Sequence, residues 1–199
     1  MIKFTEVIKV EGGVFRNVEY HQQRINRTAA RFGIPAFNLS DELRNASLAV
    51  DGPLMKCRIE YGERIESLMC TPYTFRKISR VAAVVDNDVD YAYKFADRRH
   101  LDALRDKCGC DEVIIIKDGQ VTDSSFSNLI FETAQHERFT PSACLLKGTK
   151  RQFLLDSGVI TERAIRVQDI RDYERILFIN AMMEPEDNIG IPAACCILP

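Results

Sequence analysis

Any chemistry in this 199-residue chain must come from a few residue types. Seven cysteines and three histidines are the obvious candidates for metal or thiol chemistry. Cys108 and Cys110 flank one glycine, and Cys195 and Cys196 are adjacent, so neither pair has CxxC spacing. No second ligand pair stands at zinc spacing, and reduced, mostly buried thiols are the expectation. His21, His100 and His136 are far apart and form no HExxH or HxH pair, so no metal site is expected. The chain lacks GxGxxG, GxSxG, DFG and the phosphate-loop pattern ending in GKS or GKT. A lysine amine is a nucleophile only when unprotonated. By spacing alone, however, Lys94 is one lysine among many and reads as solvated. Asp123 reads as a turn aspartate after a hairpin, and Arg24 as a surface charge on a helix.

Composition narrows the classes. The chain is 46% hydrophobic, enough for a sizeable core. Its 27 basic and 29 acidic residues leave a net charge of −2, which argues against a nucleic-acid partner. No apolar run approaches the roughly 20 residues of a membrane helix. The N-terminal MIKFTEVIKV alternates charged and apolar residues and lacks a signal-peptide core. A cytoplasmic protein without a membrane partner is expected.

The elements that would position such residues can be read in outline. Residues 2–10 predict a strand, Glu11-Gly12-Gly13 a turn, and 14–20 a second short strand. Ile25, Ala29 and Phe32 share one face of a helix over 20–32, which Gly33 and Pro35 end. Ser40 is the expected cap of a helix over 41–50. Residues 54–62 and 64–73 form a hairpin around Gly62, and a lobe boundary is expected near 71–77. Residues 81–86 predict a buried strand, 97–108 a helix, and 112–125 two strands joined by an Asp-Gly turn. Strands at 127–133, 162–168 and 174–179, a helix over 149–157 and a short helical link over 169–173 follow. No internal repeat is visible. The expected architecture is α+β, with a small N-terminal lobe over 1–72 and a larger, strand-rich C-terminal lobe over 73–199.

A series of segments in a particular order changes the reading of Lys94. TEVIKVEGG opens the series, followed by HQQRINRTAARFG at 21–33 and YKFADRRHL at 93–101. DEVIIIKDGQVTDSSFSNLIF at 111–131, TPSACLLKGTKRQFLL at 140–155 and ILFINAMMEP at 176–185 complete it. Each segment alone is weak. Together and in this order they resemble the aminotransferase class IV family, and most closely its aminodeoxychorismate lyases. The resemblance runs from Glu6 to about Pro192. It implies the two-lobed fold of the D-amino-acid aminotransferases, known as fold type IV. It also implies pyridoxal 5'-phosphate (PLP) bound where the lobes meet, in a homodimer whose partner chain helps to close the site.

The resemblance carries roles onto single residues. Lys94 matches the lysine that holds PLP as a Schiff base, and is expected on the C-terminal lobe. Freed by substrate, its amine can act as general base. Arg24 matches the arginine that binds the cofactor phosphate through its planar fork. Gly148, Thr149 and Lys150 match the Gly-Ile-Thr of a phosphate loop before a helix. There Lys150 replaces a hydroxyl donor by a cation, which either reaches the anion or faces solvent. Asn180 and Ala181 match a second phosphate-side turn. Asp123 stands where the family has a glutamate that pairs with the pyridine nitrogen. It carries the right charge on a side chain shorter by one methylene. Asn128 matches an asparagine of structural role. Two departures stand out: the chain begins roughly twenty residues later than relatives of ordinary domain size, and Val7 replaces a frequent threonine. A reduced small lobe and an altered substrate pocket are therefore expected.

Three short features favour the lyase over the aminotransferases. Asn180-Ala181-Met182-Met183 resembles the lyase's Asn-Ala-Leu-Met. Asp97-Arg98 after Lys94 resembles its Asn-Arg, which makes Arg98 a candidate for binding a substrate carboxylate. The tyrosine that branched-chain enzymes place five residues after the lysine is replaced by Arg99. The expected reaction converts 4-amino-4-deoxychorismate, a small amino substrate, to 4-aminobenzoate and pyruvate, a step toward folate. A class IV aminotransferase acting on branched-chain or D-amino acids is the alternative, and an inactive relative the third reading.

Overall fold

A computed structural model describes residues 2–199. The chain forms two compact units, one of residues up to Phe75 with Tyr93–Asp97, the other of Arg76–Ala92 with Arg98–Pro199. No described helix is long and apolar enough to cross a membrane.

In the first unit β1 (Phe4–Glu11), β2 (Val14–Phe15), β3 (Leu54–Tyr61) and β4 (Ile65–Pro72) form an antiparallel sheet in the order β2-β1-β3-β4. Its helices are α1 (Val18–Phe32) and α2 (Leu39–Asn45). Alternation sends Phe4, Ile8 and Val10 of β1 and Met55, Cys57, Ile59 and Tyr61 of β3 into one core. Ile25 of α1 and Leu39 and Leu43 of α2 join them there.

Three local expectations change. The second strand is only Val14–Phe15, because Asn17 takes a left-handed conformation (φ 55°) and turns the chain directly into α1. The cap of α2 is Asn38, not Ser40. Asn38 has extended backbone angles, and its side chain accepts the Asp41 N–H at 3.2 Å. That helix stops at Asn45, leaving 46–50 outside it.

In the second unit β5 (Val81–Val85), β6 (Glu112–Lys117) and β7 (Gln120–Ser124) make one sheet, beside α3 (Arg99–Cys108) in the chain. Asp118 and Gly119, with φ of 51° and 75°, form the tight turn between β6 and β7 that the Asp-Gly pair predicts. The other sheet has the order β10-β9-β8-β11-β12. Its strands are β8 (Asn128–Glu132), β9 (Arg138–Pro141), β10 (Thr161–Arg163), β11 (Arg175–Ile179) and β12 (Gly190–Pro192). Helix α4 (Thr149–Asp156) packs Leu154 against Ile130, Leu177 and Ile179. Strand β10 ends at Arg163, short of the expected 168, and Val167–Asp172 is a 3-10 turn that Asp169 closes by accepting the Arg166 N–H. β9 and β12, of four and three residues, lie in stretches without a strong alternating signal.

The Lys94 segment belongs to the first unit, not to the C-terminal lobe expected from sequence. The reason is an open strand edge. β2 covers β1 only at Val10 and Glu11, so the edge at Lys3–Thr5 needs another partner. The Lys94 carbonyl accepts the Thr5 N–H at 2.9 Å, and the Ala96 N–H donates to the Lys3 carbonyl at 2.8 Å. Phe95 then lies 5.4 Å from Phe4 and 6.0 Å from Phe32 between ring centroids. Truncating Phe4, which is fully buried among Phe32, Tyr61 and Phe95, is expected to destabilise the protein by about 3–5 kcal/mol. Urea unfolding of Phe4→Ala against the wild type measures this.

Candidate active site

The first unit contains a polar cluster at the contact between β1 and α1. Parity places Glu6 on the same face as Phe4, Ile8 and Val10, so its carboxylate is carried into the core with no exposure. Helix α1 turns His21, Arg24, Ile25, Thr28 and Ala29 inward, a stripe that is partly polar. The two polar sets meet. Arg24 grips Glu6 with both arms of its fork, Nε to Oε1 at 2.8 Å and Nη2 to Oε2 at 2.5 Å. His21 Nδ1 lies 2.5 Å from Glu6 Oε2. Thr28 Oγ1 donates to the Arg24 carbonyl at 2.9 Å.

Burial alone would raise the Glu6 pKa, but the charge and hydrogen bonds of Arg24, then the hydrogen bond of His21, outweigh it and hold the carboxyl down to about 2. Burial lowers the His21 pKa, against the pull of Glu6. Its imidazole is therefore neutral and donates from Nδ1 to the carboxylate. Lys94 acts electrostatically on His21 and lowers its pKa further. The fold thus brings Lys94 and Arg24 into one neighbourhood of the first unit, with Lys94 half-buried.

Glu6 and His21 had no role in the sequence reading. Their signal was present: an acidic residue in register with three core residues on one strand, and a histidine on the buried face of the facing helix.

In the second unit Asp123, at the end of β7, is buried. Its Oδ1 accepts from the Asn128 amide at 2.8 Å and its Oδ2 from the Leu146 N–H at 2.8 Å. The same Asn128 amide donates to the Leu146 carbonyl at 2.9 Å. Burial raises the Asp123 pKa to about 6, although these donors and the more distant Arg151 charge pull it down. Asn128 also explains Gly148. A β-carbon at position 148 would overlap Asn128 Oδ1, so only glycine allows this approach. Gly148 is the N-cap of α4 and supplies no side-chain cap. Asp123, Asn128 and Gly148 are therefore one hydrogen-bonded assembly at the start of that helix.

Thr149 and Lys150 follow in the first turn of α4, both buried. The Lys150 charge does not face solvent. Nζ is 2.6 Å from Glu184 Oε2, and the ammonium lies 5.0 Å from the Phe153 ring centre. Glu184 follows the 180–183 turn, so this ion pair ties the start of α4 to the segment holding Asn180 and Ala181. The Asn180 side chain closes its own turn, accepting the Met182 N–H at 2.8 Å and donating to Met183 Sδ at 3.4 Å. Arg98 donates to the Ser125 carbonyl at 2.8 Å, pairs with Asp102 at 3.5 Å and lies 5.9 Å from the Tyr91 ring centre. These contacts use Arg98 within the second unit, where it fixes the β7–β8 loop.

Comparison with known proteins agrees with the segments identified in the sequence. The profile of the amino-transferase class IV family matches residues 90–184. An uncharacterized Haemophilus influenzae protein is 36% identical over 188 residues, covering 92% of this chain and 98% of that one. A crystal structure of a proposed 4-amino-4-deoxychorismate lyase from Haemophilus somnus superposes with a TM-score of 0.85 at 35% identity, covering 92% of this chain and 97% of that one. A hypothetical aminotransferase from Mycobacterium tuberculosis, in its PLP-bound form, shares the fold with a TM-score of 0.77 at 19% identity, covering 98% of this chain and 81% of that one.

The two buried carboxyls give opposite pH dependences. Folding favours neutral Asp123, so its contribution is complete below the ordinary 3.8 and disappears as pH rises through about 6. That shift corresponds to about 3 kcal/mol. Folding favours ionised Glu6, whose contribution is complete above the ordinary 4.5 and disappears as pH falls toward about 2. Thermal melts of the ligand-free protein are expected to show a stability maximum between these limits. Asp123→Asn should flatten the decline between about pH 4 and 6, while leaving the acid limb in place.

Proposed function

We propose that this chain, which belongs to the class IV aminotransferase family, is a PLP-dependent lyase. Its reaction converts 4-amino-4-deoxychorismate to 4-aminobenzoate and pyruvate. It acts as a cytoplasmic homodimer, the state the family resemblance implies. The observation that carries the reaction is the likeness, across nearly the whole length of both chains, to the proposed 4-amino-4-deoxychorismate lyase of Haemophilus somnus. The Asn180-Ala181-Met182-Met183 turn supports the same choice.

The residues of the second unit fit the cofactor. Asp123 is a buried carboxyl without a cationic hydrogen-bond partner among those identified, the chemistry that a pyridine nitrogen requires. The N-terminus of α4 lacks a side-chain cap, so its first N–H groups and the helix dipole favour an anion such as phosphate. Ser125 has a buried hydroxyl with no hydrogen-bond partner in the protein. When bound, PLP supplies an electron sink for the charge released at the substrate carbon.

Each protein group then has a defined task. Lys94 would hold the cofactor aldehyde through its amine, and the same amine could take the proton from the substrate carbon bearing nitrogen. Asp123 would pair with the pyridine nitrogen and keep it protonated. Arg24 is the phosphate ligand of the first unit, and Glu6 fixes its guanidinium through two hydrogen bonds. Thr149, Lys150 and Ala181 would offer backbone donors to the phosphate, Asn180 would shape the turn beside it because its own N–H is donated to the Met183 carbonyl, and the Lys150 side chain is committed to Glu184. Arg98, the candidate ligand of the substrate carboxylate, also braces Ser125 by donating to its carbonyl. Loss of pyruvate leaves an aromatic ring, which supplies much of the driving force and leaves orientation to the protein.

Incubation of the PLP-loaded protein with 4-amino-4-deoxychorismate is expected to yield pyruvate and 4-aminobenzoate together. Lys94→Ala should be silent while keeping the fold. A protein that holds PLP but forms neither product would overturn the lyase assignment. Branched-chain and D-amino acids with 2-oxoglutarate would then separate a class IV aminotransferase from an inactive relative. Arg24→Ala removes a charge-assisted contact and should raise the Kd for PLP by about 10- to 100-fold. An unchanged Kd in a calorimetric titration would exclude Arg24 from the phosphate site.

A further inference from the structure

The loop between β7 and β8, residues 125–127, is held by charged and hydroxyl side chains from several elements. The Glu112 carboxylate, itself fully buried, accepts the Ser125 N–H at 3.0 Å and the Val113 N–H at 2.9 Å through Oε1. Its Oε2 accepts from Arg76 at 2.6 Å, and the same guanidinium lies 4.9 Å from the Phe126 ring centre. Arg98 donates to the Ser125 carbonyl at 2.8 Å. The Ser124 hydroxyl lies 2.8 Å from the Ser127 hydroxyl and accepts the N–H groups of Phe126 and Ser127. Phe126 stacks on Phe178.

Within this network both backbone groups of Ser125 are satisfied by charged side chains, yet its hydroxyl has no partner. Ser125 is 1% exposed, so water does not serve that oxygen from outside. A buried hydroxyl without a hydrogen bond is destabilising, and the neighbouring Ser124 and Ser127 show that the loop can pair its hydroxyls internally. The position also lies two residues after Asp123 in the chain.

We infer that the Ser125 hydroxyl is a binding group for the cofactor, donating a hydrogen bond to an anionic oxygen of bound PLP. This rests on the PLP reading above and adds a ligand to it. The ring phenolate and the phosphate share this acceptor chemistry, while the pyridine nitrogen falls to Asp123. The wiring by Glu112, Arg76 and Arg98 then acts as a rigid mount for one donor.

The test uses the full chain, freed of cofactor and titrated with PLP by calorimetry, in wild type, Ser125→Ala and Ser125→Cys. Cysteine keeps the shape but is a weak donor. Both variants are expected to bind PLP about tenfold more weakly. Their cofactor-free melting temperatures should be equal to or above that of the wild type, because the unpaired hydroxyl is gone. This opposition of effects is one that a merely structural serine does not produce. Titration with pyridoxal, which lacks the phosphate, separates the two acceptors: a loss that persists indicates the phenolate, and a loss that vanishes indicates the phosphate. Binding by both variants within twofold of wild type, or full affinity in Ser125→Cys, would overturn the inference alone. A wild-type chain that takes up no PLP would overturn the cofactor reading and this inference with it.

Discussion

A carboxylate without access to water has to be paired where it lies, and Glu6 sets that condition for the first unit. Its strand alternation leaves it no solvent-facing alternative, since Phe4, Ile8 and Val10 share its face. Unpaired, it would face a desolvation cost of several kcal/mol. The fork of Arg24 and the ring of His21 offset that cost, and both come from one helix. The pairing thereby specifies which face of α1 meets β1 and at what height along the strand. A purely apolar contact would tolerate sliding by a turn, whereas a bidentate pair has one register. The same pairing orients the guanidinium proposed for phosphate binding, so fold specificity and ligand geometry draw on one interaction.

The second unit handles a buried carboxyl in the opposite way. Asp123 receives neutral donors, an amide and a backbone N–H, and its pKa rises instead of falling. One carboxylate is neutralised by its own protein, while the other keeps unspent capacity for a cationic partner. This contrast separates a carboxylate paired within the protein from the one proposed to take a cationic ligand. Asn128 links that carboxyl to the helix start, because its amide serves Asp123 while its carbonyl oxygen fills the space beside Gly148.

Much of the architecture could be read from local pattern. The β3–β4 hairpin, the Asp118-Gly119 turn and the α1 and α4 helices follow from alternation, turn chemistry and helical period. Lys94, Arg24, Asp123 and the Gly148 loop became candidates only through the order of segments, because each alone is an ordinary side chain. What local pattern could not supply depends on contacts distant in sequence. Lys94 sits with the first unit because an uncovered edge at Lys3–Thr5 recruits it from ninety residues away in the chain. Glu184 as the partner of Lys150, and Arg98 as a brace for Ser125, likewise appear only after folding. Strands β9 and β12 are too short to announce themselves, and Asn38 displaced Ser40 as a cap through backbone angles that composition does not reveal.

The Lys150–Glu184 pair restricts how this loop can change. Position 150 is buried, so a lysine there needs an acid beside it, whereas Glu184 is partly exposed and its side chain also caps the Pro185–Asp187 turn by accepting the Asp187 N–H. A return to the usual threonine by a single step would leave Glu184 facing a hydroxyl in a partly buried place. Exchange of Glu184 first would leave an ammonium buried without a counter-charge. The second order strands a buried charge and the first does not, so the two substitutions are coupled and not additive. The helix start and the 180s turn consequently have a preferred order of change, in which the lysine is replaced before the acid.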